Sequence, residues 1–220
     1  QQATMQNGST SSTQTVSTLA TSTDGALDTS DLFSERDLAQ TADTTGAQQI
    51  SLKSGENVAI SEEGVYVVSG SATNTTIYVD ADSSAKVQIV LDGASISNES
   101  APAIYVRSAD KVFVTTAAGS QNTLEVTGSF AADGETNLDA AIFSKDDLTL
   151  NGEGSLIINS TANGVTSKDD LKVTGGNYQI SVTGHGLEGK DSVRIADGDF
   201  VIQAGKDGIH AEDSDVENVG

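Results

Sequence analysis

From Ile50 onward, apolar and polar residues alternate in short runs split by Gly, Asn and Asp: Val65-Tyr66-Val67-Val68, Ile77-Tyr78-Val79 and Val87-Gln88-Ile89-Val90-Leu91. A period of two with turn residues between the runs predicts short β-strands. Helix formers never gather into a long apolar face. Residues 1–45 lack the alternation and are rich in Ser, Thr and Gln, with few large apolar side chains. Such a segment buries too little surface to offset its ordering entropy, which predicts a disordered or extended tether ahead of a β domain over residues 46–220. Within the tether, Thr29-Ser30-Asp31 ahead of Leu32-Phe33 has the makings of a capped short helix running through Asp37.

The alternation also repeats at a longer distance. Ala141-Ile-Phe-Ser-Lys-Asp-Asp-Leu148 returns as Gly164-Val-Thr-Ser-Lys-Asp-Asp-Leu171 and again as Gly186-Leu-Glu-Gly-Lys-Asp-Ser-Val193, with a weaker copy from Gly208. The offsets are 23, 22 and 22 residues. Two further patterns travel with it: Leu148-Thr-Leu150, Leu171-Lys-Val173 and Val193-Arg-Ile195, then Leu156-Ile-Ile158, Tyr178-Gln-Ile180 and Phe200-Val-Ile202. Three runs and three turns per unit predict a three-faced parallel β-helix, an all-β solenoid with about 22 residues per rung. Inward residues such as Val165, Leu171, Val173, Tyr178 and Ile180 would stack on counterparts one rung away, at the ~4.8 Å strand spacing of a sheet. Stacking explains how a chain with only 4% aromatic residues can have a core. The surplus stretch Ser129–Leu138 is expected to project from one corner. Val216–Gly220 stops partway through a rung, so the open end is expected to be capped by further chain or by another subunit.

Composition narrows the partners. Eleven Lys and Arg against 32 Asp and Glu give a net charge of −21, shared by both halves. A chain so acidic has no footprint for nucleic acid and should avoid anionic membranes, while attracting cations. With no cysteine, disulfides, thiolate metal sites and cysteine nucleophiles are excluded. No apolar run is long enough to span a bilayer. The chain opens at Gln1 without a charged-then-apolar leader, so any secretion signal is expected to have been removed.

Stacking brings chemistry to one corner. Lys145-Asp146-Asp147, Lys168-Asp169-Asp170 and Lys190-Asp191-Ser192 fall above one another, which predicts a ladder of carboxylates. Asp146, Asp147, Asp169, Asp170 and Asp191 are therefore candidate ligands for Ca²⁺, a hard cation that takes oxygen donors. The alternative is a row of Asp turns neutralised by the lysines in water. Next to the inward Ile77, Ile104 and Ile142, the outward residues are Tyr78, Tyr105 and Phe143. An exposed file of rings at strand spacing suits stacking on sugar faces. These three rings, with Lys145, Lys168 and Lys190, are the candidate carbohydrate contacts, unless the surplus loop folds over the rings. The same column continues as Thr166, Glu188 and His210, where the aromatic stripe ends. His185 and His210 lack metal-site spacing and read as surface histidines. The sequons at Asn7, Asn74, Asn98 and Asn159 read as chance in so Asn- and Thr-rich a chain. No nucleophile or phosphate-loop motif is present. A lyase base would have to be Lys168, Lys190 or Arg194, and carboxylates beside a lysine favour its charged form, which suits a base poorly.

The runs Ala140–Gly152, Asn163–Gly176 and Gly184–Ile195 together resemble a bacterial carbohydrate-binding β-helix family, typified by a clostridial cell-surface protein related to pectate lyases. The resemblance covers roughly residues 55–220, and its Ser-Lys-Asp-Asp-Leu run is the specific part. It implies a right-handed parallel β-helix, Ca²⁺ as cofactor, binding of cellulose or pectic acid, and an extracellular or cell-surface location, often through a lipid anchor. The family's metal sites, carried onto the stacked corner, would fall on Asp146, Asp147, Asp169, Asp170 and Asp191. The resulting expectation is a calcium-associated polysaccharide-binding protein without turnover. A structural stalk and a calcium-dependent lyase are the alternatives.

Overall fold

The computed structural model describes residues 31–212. Residues 1–30 of the expected tether, and the closing Val216–Gly220, lie outside the described residues. The strands pair in parallel throughout, and the repeat read from the sequence sets their register. Ile158 pairs with Ile180 and Ile180 with Ile202. Ile77, Ile104, Ile142, Val165 and Leu187 form a second inward column, each fully buried. Val87, Val112, Leu148 and Leu171 form a third. Each side chain is covered by its neighbours one turn away, so a core assembles from Val, Ile and Leu with few rings.

The three-faced solenoid is corrected. The strands gather into two sheets, one of eleven strands and one of seven. The cause is the long strand Lys86–Asn98. Its first half pairs with Lys111–Thr116 and its second half with Gln121–Val126. Between the halves lies Asp92-Gly93, and Gly93 has φ of 74°. A glycine tolerates this left-handed backbone without a Cβ clash. The chain therefore bends within one strand, its pairing with Gly64–Thr73 shifting register between Val68 and Gly70, and what the sequence presents as two separate faces is one continuous sheet. The seven-stranded sheet runs from Val58–Ile60 through Ile77–Asp80, Ile104–Ser108, Ala140–Ser144 and Asn163–Ser167 to Leu187–Gly189 and Ile209–Ala211.

The last part of the segment read as a tether is held against the larger sheet. Ser34 caps a short helix, Glu35–Leu38, and Asp37 completes the capping box by accepting from the Ser34 N–H at 2.8 Å. The helix thus starts at Ser34, later than the Thr29-Ser30-Asp31 signal. Asp37 is fully buried over the outer faces of the strands that carry Lys111, Thr149 and Lys172. Gln40 follows, accepting from the Gly152 N–H at 3.0 Å and donating to the Thr174 carbonyl at 2.9 Å. Arg36 places its guanidinium 4.5 Å from the Phe113 ring centre. Among the described residues, no helix is long and apolar enough to cross a membrane.

Candidate functional site

Strand register places Tyr78, Tyr105, Phe143, Thr166, Glu188 and His210 in one column on the outer face of the seven-stranded sheet. The rings do follow one another, with centroids 5.8 and 5.7 Å apart, in tilted and edge-to-face contact. Their expected exposure is corrected: Tyr105 and Phe143 are buried and Tyr78 is half-buried. The surplus loop folds back and lays Phe130 and Leu138 against them. Asp133 in that loop accepts the Tyr105 hydroxyl at 3.0 Å and pairs with Arg107 at 3.2 Å. Arg107 in turn lies over the Tyr78 ring. A set of large rings left bare on one face is a liability in water, and this loop removes it. The rings form a second small core, in which only Tyr78 keeps a partly exposed face.

Where the loop ends, the column opens into a groove of about 500 Å³. It is lined by Asp139, Asn163, His185, Glu188, Lys206 and His210, among others. Asn163 organises its centre. Its amide donates to Glu188 Oε2 at 2.6 Å and to Thr166 Oγ1 at 3.2 Å, and its oxygen accepts from the His185 N–H at 2.8 Å. The Gly-His-Gly turn makes this possible. A Cβ on Gly184 would collide with Asn163 Oδ1, and one on Gly186 with the Gly208 carbonyl. Lys168 Nζ lies 4.0 Å from Asp139 Oδ2 and 4.0 Å from Glu188 Oε1. Asp139 Oδ1 is buried and has no hydrogen-bond partner. Burial raises the Asp139 carboxyl above the usual range and the Glu188 charge adds to this, while Lys168 pulls the other way. The groove therefore offers amide, carboxylate, ammonium and imidazole groups in rows, one row per turn of the repeat.

The acidic corner is present, but its carboxylates are dispersed. Asp146 accepts from the Ala109 N–H at 3.1 Å, and Asp147 pairs with Lys111 at 3.4 Å. Asp170 pairs with Arg194 at 2.8 Å and accepts from Ser192 at 2.5 Å. Asp169 caps the backbone of Asp170, and Asp191 is exposed. Burial raises the Asp169 carboxyl, and repulsion from Asp147 and Asp191 adds to it. Lys145 is exposed at this corner, whereas Lys168 turns toward Asp139 and Glu188 at the edge of the groove. Lys190 stays at the corner, where its backbone N–H bonds the Ser167 carbonyl at 2.9 Å. No three corner carboxylates come within 4.8 Å of one another among the described residues; the group that does is His185, Asp207 and His210. Sequence reading missed this group because its members lie on different turns. The signal was available: Asp207 stands 22 residues after His185 and so one repeat above it.

A protein of Acetivibrio thermocellus described as a carbohydrate-binding domain-containing protein is 36% identical over 130 residues, covering 58% of this chain and 46% of the relative. The chain thus matches less than half the length of that relative. The solved structure of the polysaccharide lyase-like protein from C. thermocellum, a gadolinium derivative, superimposes with a TM-score of 0.74 at 31% identity, over 78% of this chain and 76% of the other. Residues 54–220 match the family described as carbohydrate-binding domain-containing protein, and the chain belongs to that family.

Proposed function

We propose that this chain binds an extended polysaccharide of pectic or cellulosic type along the groove beside the covered rings, outside the cell and without turning it over. The observation that carries this reading is the file of polar side chains on successive turns: Asp139, then Asn163, then His185 with Glu188, then Lys206 with His210. The strand spacing of ~4.8 Å is close to the length of one sugar unit in an extended chain, so the same contacts can recur along a polymer. Sugar hydroxyls both donate and accept, and Asn, Glu and Lys meet both needs. Family membership and the lyase-like solved relative support a polysaccharide ligand. The ion pairs at Lys168 and Arg194 support binding over turnover, since two of the three candidate bases already hold carboxylate partners.

Calcium belongs to the same proposal. The corner supplies only oxygen donors, which suits a hard cation. Asp146 and Asp170 are held by bonds to Ala109, Arg194 and Ser192, so Asp169 and Asp191, with Asp147 on giving up Lys111, are the residues that would hold it. The crowding of charge around Asp169 is what a cation would relieve.

Titration calorimetry with polygalacturonate and with cello-oligosaccharides, in Ca²⁺ and in EDTA, tests the reading. Binding should fall at least tenfold in Asn163→Ala and in Glu188→Gln. Calcium should strengthen binding of the acidic polymer more than of the neutral one, because the chain's own charge repels polyanions. Equal affinity in both variants would move the site off this groove. No binding to either polymer would favour a structural spacer, and accumulation of ultraviolet-absorbing unsaturated uronate would establish a lyase.

A further inference from the structure

At the far end of the groove, His185 and His210 stack with ring centres 4.2 Å apart and interplanar angle 18°. His185 precedes the strand Leu187–Gly189, and His210 lies in the next strand of the same sheet, Ile209–Ala211. Asp207 stands in the turn between them. Its Oδ2 is 3.4 Å from His185 Nδ1 and 3.1 Å from His210 Nδ1. The side chains of His185 and His210 are 13% and 30% exposed, so both are held by packing yet reachable from solvent.

The electron pairs here are not all matched to protons. His185 Nδ1 accepts from the Asp207 N–H at 3.3 Å, so it carries no proton to give the Asp207 carboxylate. A nitrogen lone pair and a carboxylate oxygen therefore face one another at 3.4 Å. A cation beside Asp207 turns that opposition into ligation once the two stacked rings, 18° apart, rotate to aim their in-plane lone pairs at it. The spacing fits one class of ion. Donors held about 2.0 Å from a tetrahedral centre lie about 3.3 Å from one another, and the separations from Asp207 Oδ2 are 3.1 and 3.4 Å.

We propose that His185, Asp207 and His210 form a binding site for a divalent transition-metal ion of the zinc class, separate from the all-oxygen corner. Two imidazoles and one carboxylate favour zinc, nickel or copper over calcium, which selects oxygen ligands. Three protein donors leave a fourth tetrahedral position for water or another oxygen ligand. The site rests on these three side chains and not on sugar binding.

The test uses zinc alone, with no saccharide present, so its outcome is independent of the polysaccharide titrations. Calorimetry on the metal-stripped chain should show one saturable zinc site that millimolar Ca²⁺ does not displace. His210→Ala and His185→Asn should each weaken it at least tenfold. Asparagine at 185 preserves the fold, because Asn163 makes the same side-chain-to-backbone bond one turn earlier. The chain has only two histidines, so substoichiometric Cu²⁺ should broaden both ring resonances of the unaltered protein together. Absence of saturable zinc binding would overturn the proposal. So would zinc binding that survives when His185→Asn and His210→Ala are combined, displacement by calcium, or broadening that spares either ring.

Discussion

Asp37 Oδ1 lies 3.3 Å from Lys111 Nζ across 74 residues of chain. The same carboxylate is 3.6 Å from Lys172 and accepts the Thr149 hydroxyl at 2.7 Å. One buried anion thus ties the N-terminal segment to three adjacent strands. Burial by itself would raise its pKa. The bonds from the Ser34 backbone, the Thr149 and Ser34 hydroxyls and the Lys111 charge outweigh burial and hold it at about 2.

Asp37→Ala should lower the unfolding free energy by about 3–5 kcal/mol, since it leaves two lysines facing a buried, empty position. The wild type should also show an acid transition of its own. The folded pKa lies below the unfolded 3.8, so the stabilisation is complete above the unfolded value and is lost as pH falls toward 2. The size of the shift corresponds to about 2 kcal/mol. Urea titrations of both proteins between pH 2 and pH 6 check this; parallel curves would contradict it.

Ile180 is buried between Ile158 and Ile202, whereas its neighbour Gln179 is exposed. Ile180→Ala should cost about 2–5 kcal/mol through lost contact and a residual cavity. Gln179→Ala should change stability by less than about 0.5 kcal/mol. Thermal melts of the pair measure the contrast directly.

Phe143 is fully buried under the surplus loop, with the Lys168 ammonium 5.4 Å from its ring centre. Phe143→Ala should cost about 3–5 kcal/mol. Tyr105→Phe removes only the bond to Asp133 and should cost about 1 kcal/mol. Limited proteolysis within Ser129–Leu138 should quicken in Phe143→Ala, because the loop loses the ring it packs on. An unchanged cleavage rate would show that the loop is held by Arg107 and Asp133 alone.

Asp139 carries the opposite electrostatics from Asp37. Its carboxyl is raised by burial first and by Glu188 next. For an acid with a raised folded pKa, the cost of the charge is absent at low pH and appears as pH rises through the folded value. Asp139→Asn should therefore stabilise the protein at pH 7 and bring little gain at pH 3. A variant less stable than wild type at pH 7 would mean that the ion pair with Lys168 dominates.

The local alternation and the 22-residue period were enough to place Ile158, Ile180 and Ile202 in one column and Tyr78, Tyr105 and Phe143 in another. Both follow from the period-two geometry of a strand and from a repeat that returns each residue to the same position one turn later. The number of sheets was decided in three dimensions. The paths of Lys86–Asn98 through Gly93 and of its partner Gly64–Thr73 through Gly70 carry the hydrogen bonding around the bend, and no periodicity encodes that. The fate of the rings was likewise tertiary: the sequence marked Ser129–Leu138 as surplus, but its landing place depends on Phe130, Leu138 and Asp133 finding partners on the sheet. Asp37 looked like one more acid in a polar segment because its partners, Lys111, Thr149 and Lys172, are far away in the chain. His185, Asp207 and His210 differ from Asp37 in this respect: Asp207 follows His185 by one 22-residue turn, so the repeat itself encodes their proximity even though their linear spacing hides it. What a sequence shows directly is the set of contacts its own periodicity generates; contacts between elements outside that period appear only once the chain has closed on itself.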